Sequence, residues 1–303
     1  MTKQELTNMV AEILSQMHGE QPMVKGSDYK TLIFSQDKKD SHYHAGDFVP
    51  DVTALDLRKL YLVETAADGE KFKKMKLKTQ ARLGCGKAGA RYKTLTMLRF
   101  RADHAAAQDA VFSEMDAEYA KQHDLLPVKT RCDSKDEYLT RPDLGRCFDE
   151  HNAKAIKGVI DAPPRGQLVV GDGLSSAAIA ANAADCLAAI RDGLKLKGIE
   201  TGKAIFVKYC RVGAGDAIGD ITGCELVCVL VGERPGLVTD KSMSAYITYK
   251  PHTGVSESSR TVVSNIHAQG TPAVEAGAHV AELIDKILKK KVSGVGLHLG
   301  DGA

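Results

Sequence analysis

The stretch Gln167-Leu-Val-Val-Gly-Asp-Gly-Leu-Ser-Ser176 decides the fold, because a short apolar run leads directly into a glycine-rich turn. The run 167–170 predicts a buried strand, and the alanine-rich segment 177–194 after the turn predicts a helix. The alternation continues with predicted strands at 204–211, 225–231, 244–249 and 261–266 and a closing amphipathic helix at 274–290. Helices that alternate with continuous apolar strands are typical of a mostly parallel sheet covered by helices. We therefore predict a Rossmann-like α/β domain over residues 156–303.

The chain before this domain has a different pattern. Residues 47–155 are predicted to form a mainly helical part, since the segments 94–107 and 108–123 carry apolar residues at helical spacing. Residues 1–18 predict a short amphipathic helix, and the polar residues 19–46 indicate a linker. A helix at the end of a linker must bury its apolar stripe on its own domain or on another protein, and the docking role is favoured.

Composition argues against several classes of function. The 303 residues carry a formal net charge of +2, contain no Trp and are 5% aromatic, which argues against a nucleic-acid-binding protein. The sequence has no apolar run of about 18 residues to span a membrane, and the first residues lack the apolar core of a secretory signal. The seven cysteines are odd in number and irregularly spaced, so a disulfide framework or a Cys-rich zinc site is not expected. These features predict a cytoplasmic protein with free thiols.

Three turns lie where predicted strands end, at residues 172–176, 211–213 and 232–236. Ligands of parallel sheets bind beyond the carboxyl ends of the strands, and glycines in such turns allow a ligand to approach the backbone. Glu233 offers a carboxylate acceptor at one of these ends. From the residues alone, an ion pair of Glu233 with Arg234 or another surface cation is the simpler interpretation.

A glycine pattern supplies an alternative function. The string Gly213-Ala-Gly215-Asp-Ala-Ile-Gly219, followed by Glu233, is similar to the dinucleotide-binding fingerprint of an NAD-binding oxidoreductase. The third glycine stands one residue late, and the motif follows the second predicted strand rather than the first. Both departures disfavour a nucleotide site.

A self-contained catalytic set is not evident in the sequence. His267 lies at the end of a β-branched strand, where a histidine can serve as a ligand, as a catalytic base or in a structural role. From the residues alone, the structural role is favoured. The basic, glycine-rich loop 82–91 lacks the Gly-Lys-Ser/Thr ending of a P-loop, and its charge is typical of a solvated surface. Ser–His–Asp, HExxH and paired-Glu motifs do not stand out. The chain is therefore predicted to hold a ligand for a partner, with no catalytic residues and no metal ligands of its own.

Several strings, taken in order, carry a resemblance to a known family. The most distinctive are Val231-Gly-Glu-Arg-Pro-Gly-Leu237, Arg260-Thr-Val-Val-Ser-Asn-Ile-His267 and Gly270-Thr-Pro-Ala-Val-Glu-Ala276. Upstream, Leu98-Arg-Phe-Arg-Ala-Asp-His104 and Tyr138-Leu-Thr-Arg-Pro-Asp-Leu-Gly-Arg146 belong to the same set. With these strings, roughly residues 80–297 resemble the small (light) subunit of ethanolamine ammonia-lyase.

The resemblance implies a subunit of a carbon–nitrogen lyase that is active only in complex with a large subunit. That family uses adenosylcobalamin, a cobalt corrin, to convert ethanolamine into acetaldehyde and ammonia through a radical. The resemblance further implies that the corrin lies between the subunits, that the large subunit holds the substrate, and that the assembly contains six copies of each. Ethanolamine-using enzymes are often packed in bacterial microcompartments, so residues 1–18 are interpreted as an addressing helix for the shell or other cargo.

The resemblance carries three cofactor-binding positions over to this chain. Val212 matches the valine that follows Tyr-x-Arg after the second strand, and Glu233 matches the glutamate of Gly-Glu-Arg-Pro-Gly. Val262 matches the residue after Arg-Thr, which is Cys in some relatives, so an apolar or backbone contact is expected there. The basic loop departs from the family at Lys87 and Ala90, where Arg and Pro are usual, and is not included in the site.

Overall fold

The computed structural model describes residues 51–63, 66–116 and 118–299. The predicted helix 1–18 and linker 19–46 lie outside the described residues and stay predictions. From Asp56 onward, the described residues form one compact unit. In sequence, a short 3-10 turn precedes this unit at Val52–Ala54.

The elements before the main sheet differ from the prediction at one helix boundary. The helix predicted over 108–123 is interrupted after Phe112 and returns only as the turn Tyr119–Gln122. The chain turns away at Ser113, whose backbone oxygen lies 2.8 Å from the Ser176 hydroxyl oxygen. This contact with the distant end of the sheet overrides the local helical spacing. The elements are helix α1 Gly69–Lys76, a small hairpin of β1 Lys87–Ala88 and β2 Arg91–Tyr92, helix α2 Thr94–Phe112 and the single turn α3 Tyr119–Gln122.

Six strands form the main sheet, in the spatial order β3-β5-β4-β6-β7-β8. Strands β3 to β6 run parallel, whereas β7 pairs antiparallel with β6, and β8 antiparallel with β7. The sheet is therefore mixed, because the residues 233–242 between β6 and β7 supply no crossover helix. The strands are β3 Leu126–Lys129, β4 Gly166–Asp172, β5 Ile205–Lys208, β6 Leu226–Gly232, β7 Met243–Tyr249 and β8 Arg260–Ile266.

Strand β3 is a second difference, because it lies within the segment 47–155 that the sequence predicts to be mainly helical. It pairs with β5 at one edge of the sheet. An edge strand tolerates Pro127, since its missing N–H needs no ladder partner on the outer side. The sheet thus draws its first strand from well before residue 156.

One face of the sheet, called the closed face below, is covered by the long helices α6 Ser176–Leu196 and α8 Ala273–Lys290. The two helices pack so closely at Gly277 that a Cβ atom there would lie 2.6 Å from the Cys186 backbone oxygen. Ile284 is fully buried in the apolar cluster between these helices and the strands. This cluster is the larger of the two cores that flank the sheet.

The opposite face, called the open face below, is covered unevenly. Helices α5 Glu150–Gly158 and α7 Ala214–Thr222 bury Ile156 and Ile218 against β3, β4, β5 and β6. Farther across the sheet the cover is incomplete at two positions. Tyr246 of β7 is half-buried and Val262 of β8 is 45% exposed, whereas Ser244 and Thr248 on the same side of β7 are buried. Two short helices complete the described unit, α4 Lys135–Thr140 and α9 Val295–Leu299.

Two predictions from composition concern the described residues. No helix among them is long and apolar enough to span a bilayer. All seven cysteines are free thiols, and six of them are buried, which confirms that most are core residues.

Candidate functional site

Val212 lies in the turn that joins β5 to α7. It is half-buried and packs against the apolar cluster under α7, which includes Val229 and Val231 of β6. Gly213 follows it as the residue before the first turn of α7. The predicted contact residue therefore stands at the carboxyl end of a parallel strand, on the open face.

Glu233 directly follows β6, and its side chain has a defined partner. The Tyr246 hydroxyl donates a hydrogen bond to Glu233 Oε1 at 2.7 Å. The Glu233 backbone N–H donates to the Ser242 oxygen at 2.9 Å and closes the loop 233–242 at its base. The partner of this carboxylate is thus a tyrosine on the neighbouring strand rather than Arg234, which is exposed.

Val262 is brought to the same place by strand pairing. In the antiparallel ladder, Val262 of β8 lies directly opposite Tyr246 of β7. Residues that face each other across antiparallel strands project from the same side of the sheet, so Val262 shares the open face with Tyr246. Tyr246 therefore links two of the three predicted residues, by a hydrogen bond to Glu233 and by register to Val262.

Burial raises the pKa of Tyr246, and the hydrogen bond to Glu233 raises it further. The phenol therefore stays protonated, and it remains a donor to the carboxylate, throughout the neutral and mildly alkaline range. With Oε1 engaged by this donor, the second carboxylate oxygen retains capacity to accept from a ligand.

A buried ion pair fixes β8 beneath this surface. Both terminal nitrogens of Arg260 donate to the Asp216 carboxylate of α7, each at 2.8 Å, with the two side chains 3% and 8% exposed. Glu257 adds a contact to Arg260 Nε at 2.7 Å from the solvent side. The hydrogen bond to Asp216 raises the pKa of Arg260 despite its burial. The bidentate pair ties the open strand β8 to the covered part of the same face.

The glycine turns at the strand ends pack against each other. A Cβ atom at Gly232 would lie 2.0 Å from the Ser175 backbone oxygen, and one at Gly173 would lie 2.6 Å from Val231. The Leu174 backbone N–H donates to the Gly232 oxygen at 3.3 Å. These glycines therefore serve contact between the two turns after β4 and β6, and the approach of a ligand to them stays a prediction.

A buried polar cluster at the same edge of the sheet escapes sequence reasoning. Asp172, at the end of β4, accepts from the Ser176 hydroxyl at 2.6 Å and from the Met115 backbone N–H at 3.1 Å. Lys135 donates to the Gly173 oxygen at 2.9 Å. Burial raises the pKa of Asp172 and lowers that of Lys135. The cluster joins the chain after α2 and the start of α4 to the sheet, and no local spacing announces it.

Glu114 extends this cluster toward solvent. Its carboxylate accepts from the Tyr209 hydroxyl at 2.7 Å and pairs with Lys208 Nζ at 2.7 Å. The hydrogen bond from Lys208 and the one from Tyr209 lower the pKa of Glu114. Because these contacts are local ties between a loop and the strand end, we assign them to structure rather than to the site.

The dinucleotide-like glycines have packing roles. A Cβ atom at Gly215 would lie 2.7 Å from a Val229 methyl, and one at Gly219 would lie 2.4 Å from the Pro251 oxygen. These close contacts seat α7 on β6 and against the chain after β7, which accounts for the glycine pattern without a nucleotide.

His267 is also structural in its contacts. Its Nε2 lies 3.0 Å from Asn265 Oδ1, and its Nδ1 accepts from the Gln269 backbone N–H at 3.2 Å. The ring is buried and braces the turn after β8. This confirms the structural interpretation of the histidine.

The basic loop 82–91 is the hairpin before α2, and its first arginine faces inward. Arg82 pairs with Asp103 at 2.7 Å, lies 4.7 Å from the Phe100 ring centroid and donates to the Leu237 backbone oxygen. Arg82 therefore anchors the loop 233–242, which begins at Glu233, to helix α2.

The geometry defines an α/β protein with one closed sheet face and one face that is open around Tyr246 and Val262, where a carboxylate adjoins apolar surface. Among the residues that the structure describes, no cluster of His, Cys, Asp or Glu is arranged to hold a metal ion.

Comparison with known proteins gives the family. The model of the family "Ethanolamine ammonia-lyase light chain (EutC)" matches residues 69–298. The chain is 54% identical over 297 residues to the ethanolamine ammonia-lyase small subunit of Clostridium perfringens, covering 98% of this chain and 100% of the relative. It is 52% identical over 300 residues to that of Clostridioides difficile and 51% identical over 297 residues to that of Listeria monocytogenes, again covering 98% of this chain and 100% of each relative. The chain belongs to the ethanolamine ammonia-lyase light-chain family, which confirms the resemblance seen in its motifs.

Proposed function

We propose that this chain is the small subunit of an adenosylcobalamin-dependent ethanolamine ammonia-lyase and that it covers the corrin at the interface with a large subunit. The observation that carries the proposal is the Glu233 carboxylate, held by Tyr246 on an exposed sheet face beside Val262. Relatives that match over the full length are named small subunits of this lyase, which supports both a large-subunit partner and the reaction.

The residues on the open face fit the chemistry of a corrin. The rim of a corrin carries amide side chains whose N–H groups need acceptors once water is displaced, and a carboxylate is a strong acceptor for them. The ring system is largely apolar, and it matches the Tyr246 ring and the exposed Val262 methyl groups. Val212 offers further apolar surface after β5, which β4 separates from β6 in the sheet.

When bound, the cobalt–carbon bond of the cofactor supplies the radical for the conversion of ethanolamine into acetaldehyde and ammonia. The residues of this chain bind, orient and exclude water. Glu233 would accept from the corrin rim, and Val262 and Val212 would make apolar contacts with the ring. Arg260 keeps β8 in place through Asp216. The proposal assigns the substrate site to the large subunit, with no catalytic residue on this chain.

Reconstitution with the partner tests the proposed function. The chain alone, the large subunit alone and the co-expressed complex are assayed for acetaldehyde release from ethanolamine with adenosylcobalamin added. Turnover by the complex only is expected, and the purified holocomplex is expected to show the absorbance of a cobalamin rather than that of a nicotinamide. Turnover by the isolated chain, or an inactive complex that carries a nicotinamide cofactor, would overturn the proposal.

Assembly and location are parts of the same proposal. We expect six copies of each subunit, in a cytoplasmic bacterial microcompartment, with residues 1–18 as the addressing helix. Light scattering of the purified complex measures the copy number. Deletion of residues 2–17 is expected to leave turnover intact while it abolishes encapsulation, and loss of turnover in a truncated complex that still assembles would refute the addressing role.

A further inference from the structure

We infer that Tyr246 is a positioning residue for the cofactor contact: its hydroxyl holds the Glu233 carboxylate so that one oxygen faces the corrin rim. This inference rests on the proposed function, because it concerns how the same site engages its ligand. It assigns a role to a residue that lies outside the motif positions matched to cofactor contacts.

The ring of Tyr246 is firmly placed. Tyr246 sits on β7 between two paired strands, opposite Val229 of β6 and opposite Val262 of β8. Its ring packs against the apolar cluster beneath α7. A phenol fixed in this way is a rigid donor, since its ring has only two side-chain torsions and both are restrained by the sheet and by packing.

Glu233 needs such a restraint because its own backbone lies in a loop. It is the first residue after β6, and the loop 233–242 is closed by backbone hydrogen bonds from Glu233 to Ser242 and from Gly236 to Thr239, at 2.9 and 3.0 Å. A glutamate side chain has three torsions, and fixing them on ligand binding lowers affinity. The 2.7 Å bond from Tyr246 fixes the carboxylate before the ligand arrives.

The bond also selects which carboxylate oxygen is available. Tyr246 donates to Oε1, so the lone pairs of Oε2 stay available for an amide N–H of the ligand. The hydrogen bond to Oε1 fixes the orientation of the Glu233 carboxylate and leaves Oε2 available to the ligand. The raised pKa of Tyr246 keeps this donor protonated.

The same strand provides a matched control. Tyr249 lies three residues after Tyr246 on β7, and its hydroxyl donates to Glu225 Oε1 at 3.4 Å. Glu225 is the residue directly before β6. It packs against the closed-face cluster rather than the open-face cluster. Tyr249→Phe therefore removes an equivalent hydroxyl from the same strand, from a tyrosine–glutamate pair on the other side of the sheet.

A double-mutant cycle on the co-purified complex tests the inference. Affinity is measured by equilibrium dialysis with cyanocobalamin, which carries the corrin and its amide side chains but supports no turnover. Tyr246→Phe is expected to raise the dissociation constant about 5-fold in the wild-type background and less than about 2-fold in the Glu233→Ala background. Tyr249→Phe is expected to change it by less than about 2-fold.

The outcomes separate the inference from the function on which it rests. An equal loss from Tyr246→Phe in both backgrounds would show that the hydroxyl acts through structure or directly, and would overturn the positioning role. No loss from Tyr246→Phe, while Glu233→Ala still weakens binding, would overturn it as well. If Glu233→Ala itself leaves cyanocobalamin affinity unchanged, the proposed corrin site fails, and the positioning role fails with it.

Discussion

The two faces of this sheet are formed by the same strands, but helices cover one face more completely than the other. On the closed face, α6 and α8 meet at Gly277, and fully buried side chains such as Ile284 fill the space above the strands. On the open face, helices cover β3 to β6, and Val262 is left 45% exposed on β8. The strands β7 and β8 therefore have one side that stabilises the fold, and their other side is available to a ligand or a partner around Tyr246 and Val262.

The difference shows how polar groups are used in each setting. The core of the closed face is apolar, and its Tyr249–Glu225 contact lies at its margin, whereas the open face holds Glu233 with Tyr246 and Arg260 with Asp216. A buried pair such as Arg260–Asp216 costs desolvation and contributes geometry, which suits a surface that must keep its shape until a partner covers it. Substitutions on the two faces should therefore separate stability from binding.

The largest effect is expected on the closed face. Ile284→Ala removes three methylene-equivalent carbons from a fully buried site and should destabilise the fold by about 3–5 kcal/mol. Val262→Ala on the open face should change stability by less than about 1 kcal/mol, because that side chain is already 45% exposed. Urea unfolding of the co-purified complex without cofactor measures both, and equal losses would break the distinction between the faces.

The next effect tests the ion pair beneath the open face. Asp216→Ala leaves Arg260 buried with only Glu257 as a charged partner and should cost about 3 kcal/mol. Glu257→Ala is the matched control and should cost less than about 1 kcal/mol, since the Glu257 side chain is 75% exposed. The same unfolding measurement applies, and a larger loss for Glu257→Ala would show that the solvent-side contact holds β8.

A smaller change in free energy is expected for substitutions at the cofactor contacts, and it should affect binding without affecting stability. Glu233→Gln keeps the size of the side chain but loses the charge, so the apparent adenosylcobalamin constant should rise about 10-fold. Val212→Ala should raise it by less than about 3-fold, because only half-buried apolar area is lost. Titrations of cofactor and of ethanolamine on the mutant complexes measure the two constants separately. Impaired ethanolamine binding with unchanged cofactor affinity would place Glu233 in the substrate site instead.

The smallest effect concerns the pH dependence of stability, through Glu114 at the carboxyl end of β5. The pKa of Glu114 is lowered from its ordinary value of 4.5 by Lys208 and Tyr209, so its contribution to stability is present above that value and is lost as pH falls through the lower folded pKa. The contribution should be below about 1 kcal/mol, because Glu114 is 37% exposed. Wild type and Glu114→Gln should therefore differ in stability at pH 7 and converge below pH 4.5. A difference that persists at lower pH would contradict this assignment.

The sequence predicts the strands of the sheet well where burial is strong. The runs at 167–170, 225–231 and 261–266 are mostly apolar or β-branched, and each lies within an observed strand or within one residue of it. The direction of a strand is harder to predict, because an apolar run has the same pattern in a parallel and in an antiparallel ladder. The ten-residue link 233–242 was the available signal, since it is too short to contain a crossover helix.

The site is predictable only in part for a similar reason. Val212, Glu233 and Val262 are matched to cofactor contacts by motif, but no motif assigns a role to Tyr246, the residue that connects two of them. Tyr246 reaches Glu233 from 13 residues away, and it faces Val262 through the register of a strand pair. Such contacts arise from the pairing of β7 with its neighbours, and no spacing along the chain encodes them.

Amide hydrogen exchange on the complex, with and without cobalamin, tests the central claim most directly. Adding cobalamin to the apo complex should slow exchange in the loop 233–242 and in β8, Arg260–Ile266, while α6 and α8 on the closed face stay unchanged. Protection confined to the hairpin and helix α2, with no change at β8, would contradict the placement of the corrin on the open face.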